Sequence, residues 1–170
     1  MVGVDRACRY FPRLFPGWDV AATNFVGLSS GLLCIWNPNM CDLVSYSMEA
    51  GILLVGMVRG YKEVVKLWNV YGPVRDKVLF WDQVISCGIL DDPNLILGGD
   101  LNFTKSASEV WGSSIGELSM DYFKNMILEA ELVVCVWYHW CLYGAMVGRV
   151  LGLSLKDLID SFWPSIWFVD

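Results

Sequence analysis

Two short apolar runs separated by a helical pattern constrain the fold of this chain more than any other feature of its sequence. Residues 63–71 alternate with a period of two, which predicts a strand, and residues 95–97 predict a second, buried strand. The stretch between them repeats side chains at helical spacing, at Val78, Trp81, Ile85 and Gly88. This order predicts an α/β (α+β) fold with a mainly antiparallel or mixed sheet and helices packed on it.

Three apolar stretches earlier in the chain predict further strands, at residues 30–36, 42–47 and Gly51–Val58. Residues 1–28 are interrupted by prolines and are expected to be irregular. A second helix is expected from Ser114, whose spacing to Glu117 fits a capping box. Its predicted apolar face consists of Leu118, Tyr122, Met126 and Ala130. Trp36 and Trp81 should be largely buried in such a fold.

Composition restricts the class of protein. The chain has 170 residues, of which 55% are hydrophobic and 18% are charged, so it is long enough for one domain and too apolar for intrinsic disorder. Its net charge of −6 has the wrong sign for holding DNA by electrostatics alone. A role on nucleic acid would therefore require a metal ion or a local basic patch.

The cysteines and the N-terminal residues indicate a reducing compartment. Six cysteines lack a CxxC pair and His139 is the single histidine, which argues against a zinc cluster. Residues 1–10 contain charged side chains and no apolar core, so they do not resemble a secretory signal. We expect an intracellular protein, nuclear or cytoplasmic, with reduced thiols.

One uncharged stretch, residues 132–148, raises the alternative of a non-enzymatic, membrane-associated protein. Its length is at the lower limit of a membrane span, which needs about 17–25 residues. Trp137 and Trp140 lie near its centre, whereas aromatic side chains in membrane spans favour the two interfaces. A buried or divergent tail is therefore the preferred interpretation.

Polar side chains follow both apolar runs and form the candidate site. Asn69 and Tyr71 end the first strand, and Asp100 and Asn102 follow two glycines after the second. A carboxylate at the end of a strand can orient or deprotonate a water, and a neighbouring amide can donate hydrogen bonds to phosphoryl oxygens. The alternative is structural: an Asx-type turn at residues 98–102 and a strand end with a satisfied tyrosine.

Several segments in one order resemble the endonuclease/exonuclease/phosphatase superfamily, which includes deoxyribonuclease-I-like enzymes. They are most similar to the endonuclease domain of plant non-LTR retrotransposons. The segments read FPGWD, LSSGLLCIWN, LWNVYGP, FW and ILGGDLN, at residues 15–19, 28–37, 67–73, 80–81 and 96–102. The resemblance implies a partial deoxyribonuclease-I-like sandwich over residues 15–134, followed by a divergent apolar tail at residues 135–170.

The resemblance also implies roles for the four candidate residues. Asp100 would position or activate the attacking water and ligate the metal, and Asn102 would steady the transition state. Tyr71 would reach the scissile phosphate, and Asn69 would support the site from the same strand face. The implied cofactor is Mg²⁺ or Mn²⁺, and the implied partner is DNA.

The chain departs from the family pattern at both ends. Family members begin with a strand bearing an asparagine and then a metal-ligating glutamate, and they end with a Ser-Asp-His motif; neither is found here. We therefore expect a truncated, catalytically inactive relic whose open sheet edges invite aggregation or partner binding. A competent phosphodiesterase remains an alternative if Glu49, Glu63 or Glu109, or a partner chain, replaces the missing groups.

Overall fold

The computed structural model describes residues 9–11, 13–23, 31–48, 50–73, 75–102, 116–130, 132–139, 142–148 and 166–169. In chain order the elements are β1 (Asp19–Thr23), β2 (Leu32–Trp36), β3 (Cys41–Met48), β4 (Gly51–Val58), β5 (Val65–Val70), α1 (Lys77–Ser86), a short 3₁₀ helix (Ile89–Asp91), β6 (Leu95–Gly98), α2 (Gly116–Glu129), β7 (Val133–His139), β8 (Leu142–Gly148) and β9 (Ile166–Val169).

The strands form two sheets. The larger sheet has the order β3-β4-β5-β6-β8-β7 and the smaller has the order β1-β2-β9. Strands β5 and β6 are parallel, whereas the other paired strands are antiparallel. Helix α1 lies in the connection between β5 and β6, because parallel neighbours need a crossover of this kind.

Two apolar clusters cover the two faces of the larger sheet. The first contains alternate residues of β3, β4 and β5 together with Leu32, Cys34 and Trp36 of β2. The second packs the opposite face against the helices, through Trp81 and Val84 of α1 and Phe123, Met126 and Ile127 of α2. The molecule is therefore layered as small sheet, large sheet and helices, an α/β fold with mixed strand pairing.

The strands predicted near residues 30–36, 42–47, 51–58, 63–71 and 95–97 are confirmed, although the fourth begins at Val65, and Trp36 and Trp81 are buried as predicted. The prediction that residues 1–28 are irregular is wrong for Asp19–Thr23. These residues pair antiparallel with β2, a partner that local sequence does not reveal.

The predicted second helix is present, and the described members of its predicted apolar face pack on the core. Helix α2 runs from Gly116, and the predicted start at Ser114 and the side chain of Leu118 lie outside the described residues. Met126 is buried, and Tyr122 and Ala130 are partly buried against the same cluster, which also contains Phe123 and Ile127. The Tyr122 hydroxyl also donates to Asp82 of α1 (2.5 Å).

Strand pairing continues into the predicted tail. Strand β8 pairs with β6, and β9 pairs with β2, so described parts of residues 135–170 join both sheets. The division into 15–134 and 135–170 remains a prediction. The stretch proposed as a membrane anchor, residues 132–148, forms the strands β7 and β8, and none of the helices in the described part of the chain is long and apolar enough to cross a membrane.

Candidate functional site

The candidate site lies at the carboxyl ends of β5 and β6, which are neighbouring strands of the larger sheet. Asn69 is paired with Gly98 in the parallel ladder, so both strands end at the same edge. Tyr71 follows β5 and Asp100 follows β6. The carboxyl ends of parallel strands are common locations for ligand sites in α/β folds. The structure thus brings Asn69, Tyr71, Asp100 and Asn102 to one sheet edge.

The two loops that carry these residues are tied to each other. The N–H of Gly72 donates to the main-chain carbonyl of Asp100 (2.7 Å), and the side-chain amide of Asn102 donates to the main-chain carbonyl of Gly72. A Cβ atom at residue 72 would lie 2.3 Å from the carbonyl oxygen of Leu101, so the approach requires glycine. Buried Leu101 anchors the second loop in the cluster beneath the helices.

Asp100 and Asn102 form the Asx turn that the structural alternative predicts. The Asn102 N–H donates to Oδ1 of Asp100 (2.9 Å), and Asn102 adopts φ of 53°, a left-handed conformation that asparagine tolerates. Asp100 is partly buried, and its Oδ2 accepts no hydrogen bond from a described residue. The turn therefore uses one carboxylate oxygen and leaves the other for a different partner.

Asn69 lies beneath the loops rather than on the surface. It is completely buried, and its Nδ2 donates to the main-chain carbonyl of Leu33 in β2 (3.3 Å). Its Oδ1 has no hydrogen-bond partner among the described residues. A Cβ at Gly99 would lie 2.6 Å from this oxygen, so the β6 loop crosses directly over the amide. Asn69 thus joins the two sheets below the site and does not reach its surface.

Tyr71 occupies the same side of the sheet as Asn69. It is partly buried and packs against the first apolar cluster, which contains β2. Its N–H donates to the main-chain carbonyl of Ala50 (3.0 Å), in the turn between β3 and β4. Sequence reasoning missed Ala50, because no local signal shows that the β3–β4 turn meets the end of β5.

The side chains described at this edge do not fit a resident magnesium ion. Mg²⁺ requires octahedral oxygen ligands, usually one or two carboxylates with waters. Asp100 supplies a single carboxylate, one oxygen of which is already used by the turn. Within the described ranges, no group of three or more His, Cys, Asp or Glu side chains could hold a metal.

The substitute carboxylates suggested by the sequence do not supply the missing ligand among the described residues. Glu63 precedes β5 and is exposed, whereas Tyr71 follows this strand. A strand of six residues is about 20 Å long, so Glu63 lies at the opposite end of β5 from the site. Glu49, Glu109 and the side chain of His139 lie outside the described residues.

Comparison with known proteins identifies the fold. No protein-family model and no curated protein sequence matches the chain. Among solved structures it is similar to the endonuclease domain of TRAS1, a telomere-specific non-LTR retrotransposon, with a TM-score of 0.56 and 16% sequence identity. The match covers 79% of this chain and 66% of that one. The chain therefore has an endonuclease-like α/β fold and spans just under two thirds of the solved domain.

Proposed function

We propose that this chain is an endonuclease-type domain of the kind found in plant non-LTR retrotransposons, and that acting alone it cleaves phosphodiesters very slowly or not at all. The observation that carries the proposal is the interlocked pair of loops after β5 and β6. Hydrogen bonds between Gly72, Asp100 and Asn102 hold the two loops together, and Tyr71 directly precedes Gly72, which supports a common site at the ends of these strands in an endonuclease-like fold.

Each candidate residue has a role consistent with its surroundings. Oδ2 of Asp100 is the oxygen that would orient or deprotonate an attacking water, because Oδ1 is held by the Asx turn. The Asn102 amide donates one hydrogen to Gly72 and has a second for a phosphoryl oxygen. The Tyr71 hydroxyl would contact the scissile phosphate. Buried Asn69 acts as a positioning residue that holds β5 against β2.

The small number of metal-binding oxygens described at this edge supports slow or absent phosphodiester cleavage. The described edge has one carboxylate where Mg²⁺ or Mn²⁺ chemistry favours more oxygen ligands. Loss of a general acid or base typically lowers a rate by about 10²–10⁴. A site with one carboxylate among its described side chains would therefore cleave slowly or not at all when the chain acts alone.

The substrate class that we propose is DNA, held weakly. The net charge of −6 opposes a polyanion, and the exposed Arg75 lies just beyond the loop that follows β5. Arg75 alone would neutralise few phosphates, and phosphate neutralisation dominates non-specific DNA affinity. We therefore expect binding that is detectable at low salt and lost at physiological salt.

The experiment is a plasmid-nicking assay in Mg²⁺ and, separately, in Mn²⁺. Wild type is compared with Asp100→Ala and with Asp121→Ala, a matched carboxylate removal on the exposed side of α2. We expect the three proteins to nick equally, at background level. Nicking that is lost only in Asp100→Ala would refute the proposed inactivity and establish the site, and Glu49→Gln and Glu109→Gln would then locate the second carboxylate.

A further inference from the structure

Strand β3 forms one edge of the larger sheet. It is the outer strand of the sheet, and no strand in the described part of the chain pairs with its outer side. Proteins usually protect such edges with lysine, proline or a bulge. Residues 43–48 read LVSYSM and contain no charge, no proline and no glycine. Their sequence therefore offers no local barrier to pairing with another strand.

The ladder identifies which main-chain groups face outward. The Arg59 N–H donates to the carbonyl of Met40, the pair that precedes Cys41 and Val58 in the register. Hydrogen-bonded pairs alternate in an antiparallel ladder, so even-numbered residues of β3 bond to β4. The N–H and C=O groups of Leu43, Ser45 and Ser47 therefore point to the open edge.

The same strand carries an exposed apolar surface, which we call the β3 patch: Val44, Tyr46 and Met48. Val44 is 57% exposed and Tyr46 is 51% exposed. Tyr46 is paired with Leu53, which packs against the cluster beneath the helices, so the β3 patch extends that apolar face beyond the helices. Exposed Met57 of β4 is paired with Asp42 and continues the same face.

We propose that a second copy of this chain pairs antiparallel with β3, with Ser45 opposite the partner's Ser45. In this register Leu43 lies opposite the partner's Ser47, so the outward N–H and C=O groups of both strands meet. Val44 then lies opposite the partner's Tyr46, at a non-hydrogen-bonded position where side chains approach most closely. A β-branched and an aromatic residue make a favourable cross-strand pair, and the two-fold axis repeats it.

The residue pattern of β3 is complementary to a second copy of itself in this register. The one charge in β3, Asp42, lies opposite the partner's Met48, so no like charges face each other. Shifting the register by two residues would place Asp42 opposite the partner's Tyr46 and break the Val–Tyr pairs. The contact is isologous, so it occupies both β3 edges and ends in a dimer. An edge contact is smaller than a standard interface of about 1,600 Å², so the dimer should be weak.

Disulfide trapping tests the register. Ser45→Cys and Ser47→Cys are each made in a Cys87→Ser background, because Cys87 is the exposed cysteine of the described chain. Residues directly opposite in a hydrogen-bonded pair have Cα atoms about 5.5 Å apart, which suits a disulfide. The two residues at position 47 would be separated by four residues along the strands, or about 13 Å, which is too far.

We expect mild oxidation of the purified chain to give at least about five times more covalent dimer with Ser45→Cys than with Ser47→Cys, because thiol geometry controls bridging. Equal trapping, or stronger trapping through position 47, would overturn the proposed register. Both serines are exposed, and the contact between the Ser47 and Thr23 hydroxyls (3.3 Å) lies at the surface, so neither substitution should impair folding.

Sedimentation equilibrium supplies a second, independent measurement. Wild type should show a reversible monomer–dimer equilibrium between about 10 and 200 µM, because association depends on protein concentration. Tyr46→Lys places a charge in the interface and should leave only monomer, whereas Leu128→Lys removes an even more exposed apolar side chain from α2 and should still dimerise. A monomeric wild type, growth beyond a dimer, or equal effects of the two substitutions would each overturn the proposal. This inference does not depend on the proposed nuclease function.

Discussion

Replacing Gly99 with alanine tests how tightly the β6 loop packs on β5, and Gly60→Ala is its matched control. Both glycines have positive φ, 107° at Gly99 and 88° at Gly60. An added Cβ at Gly60 would meet no atom within 4 Å. At Gly99 it would lie 2.3 Å from the carbonyl oxygen of Val70 and 2.6 Å from Oδ1 of Asn69. Both variants therefore place an alanine at positive φ, and only in Gly99→Ala does the added Cβ also overlap with neighbouring atoms.

The positive φ and the atomic overlap contribute separately to the loss of folding free energy. A left-handed conformation costs an L-residue about 1–2 kcal/mol, and alanine recovers about 0.4–1 kcal/mol by restricting the unfolded chain. Gly60→Ala should therefore lower the free energy of unfolding by about 1 kcal/mol. The overlap at Gly99 involves a main-chain atom that no rotamer change can move, which adds about 1–3 kcal/mol or more.

Urea unfolding followed by tryptophan fluorescence measures the difference. We expect Gly99→Ala to be at least about 2 kcal/mol less stable than Gly60→Ala, with an unchanged m-value. In thermal unfolding this corresponds to a midpoint lower by about 4–8 °C for a chain of this size. If Gly99→Ala is no less stable than Gly60→Ala, the β6 loop does not pack against Val70 and Asn69 as described.

Three further predictions concern buried or paired side chains. Asn69→Leu removes the hydrogen bond to the β2 carbonyl and leaves that acceptor buried, so urea unfolding should show a loss of about 1–3 kcal/mol; an unchanged midpoint would contradict a structural role. Burial and the hydrogen bond to Asp82 raise the pKa of Tyr122 from 10.0 to about 12, so its stabilising contribution is complete below pH 10 and is lost as the pH rises through 12. Tyr122→Phe should therefore flatten this part of the dependence of the unfolding midpoint on pH, and a wild-type-like slope would contradict the assignment. Burial raises the pKa of the Cys41 thiol from 9.0 to about 11. Peptide mapping after alkylation at pH 8 should therefore find Cys41 unmodified under conditions that label exposed Cys87. Equal labelling of the two cysteines would count against the burial of Cys41.

Much of the large sheet could be predicted because its strands carry their pattern locally. The alternation in residues 63–71 and the apolar run at residues 95–97 each depend on neighbouring residues alone. The pairing of β1 with β2 depends on a contact with a distant segment. Such a contact has no signature in the segment itself, and the prediction of irregular structure failed there.

Local periodicity and residue chemistry were sufficient to predict the strand–helix–strand order and the polar residues that follow β5 and β6. They could not show that Asn69 is buried against β2, that Glu63 lies at the opposite end of β5 from the site, or that β3 has no partner strand on its outer side among the described residues. Each of these depends on which strands become neighbours, and that choice is made by packing and hydrogen bonds between residues far apart in the chain.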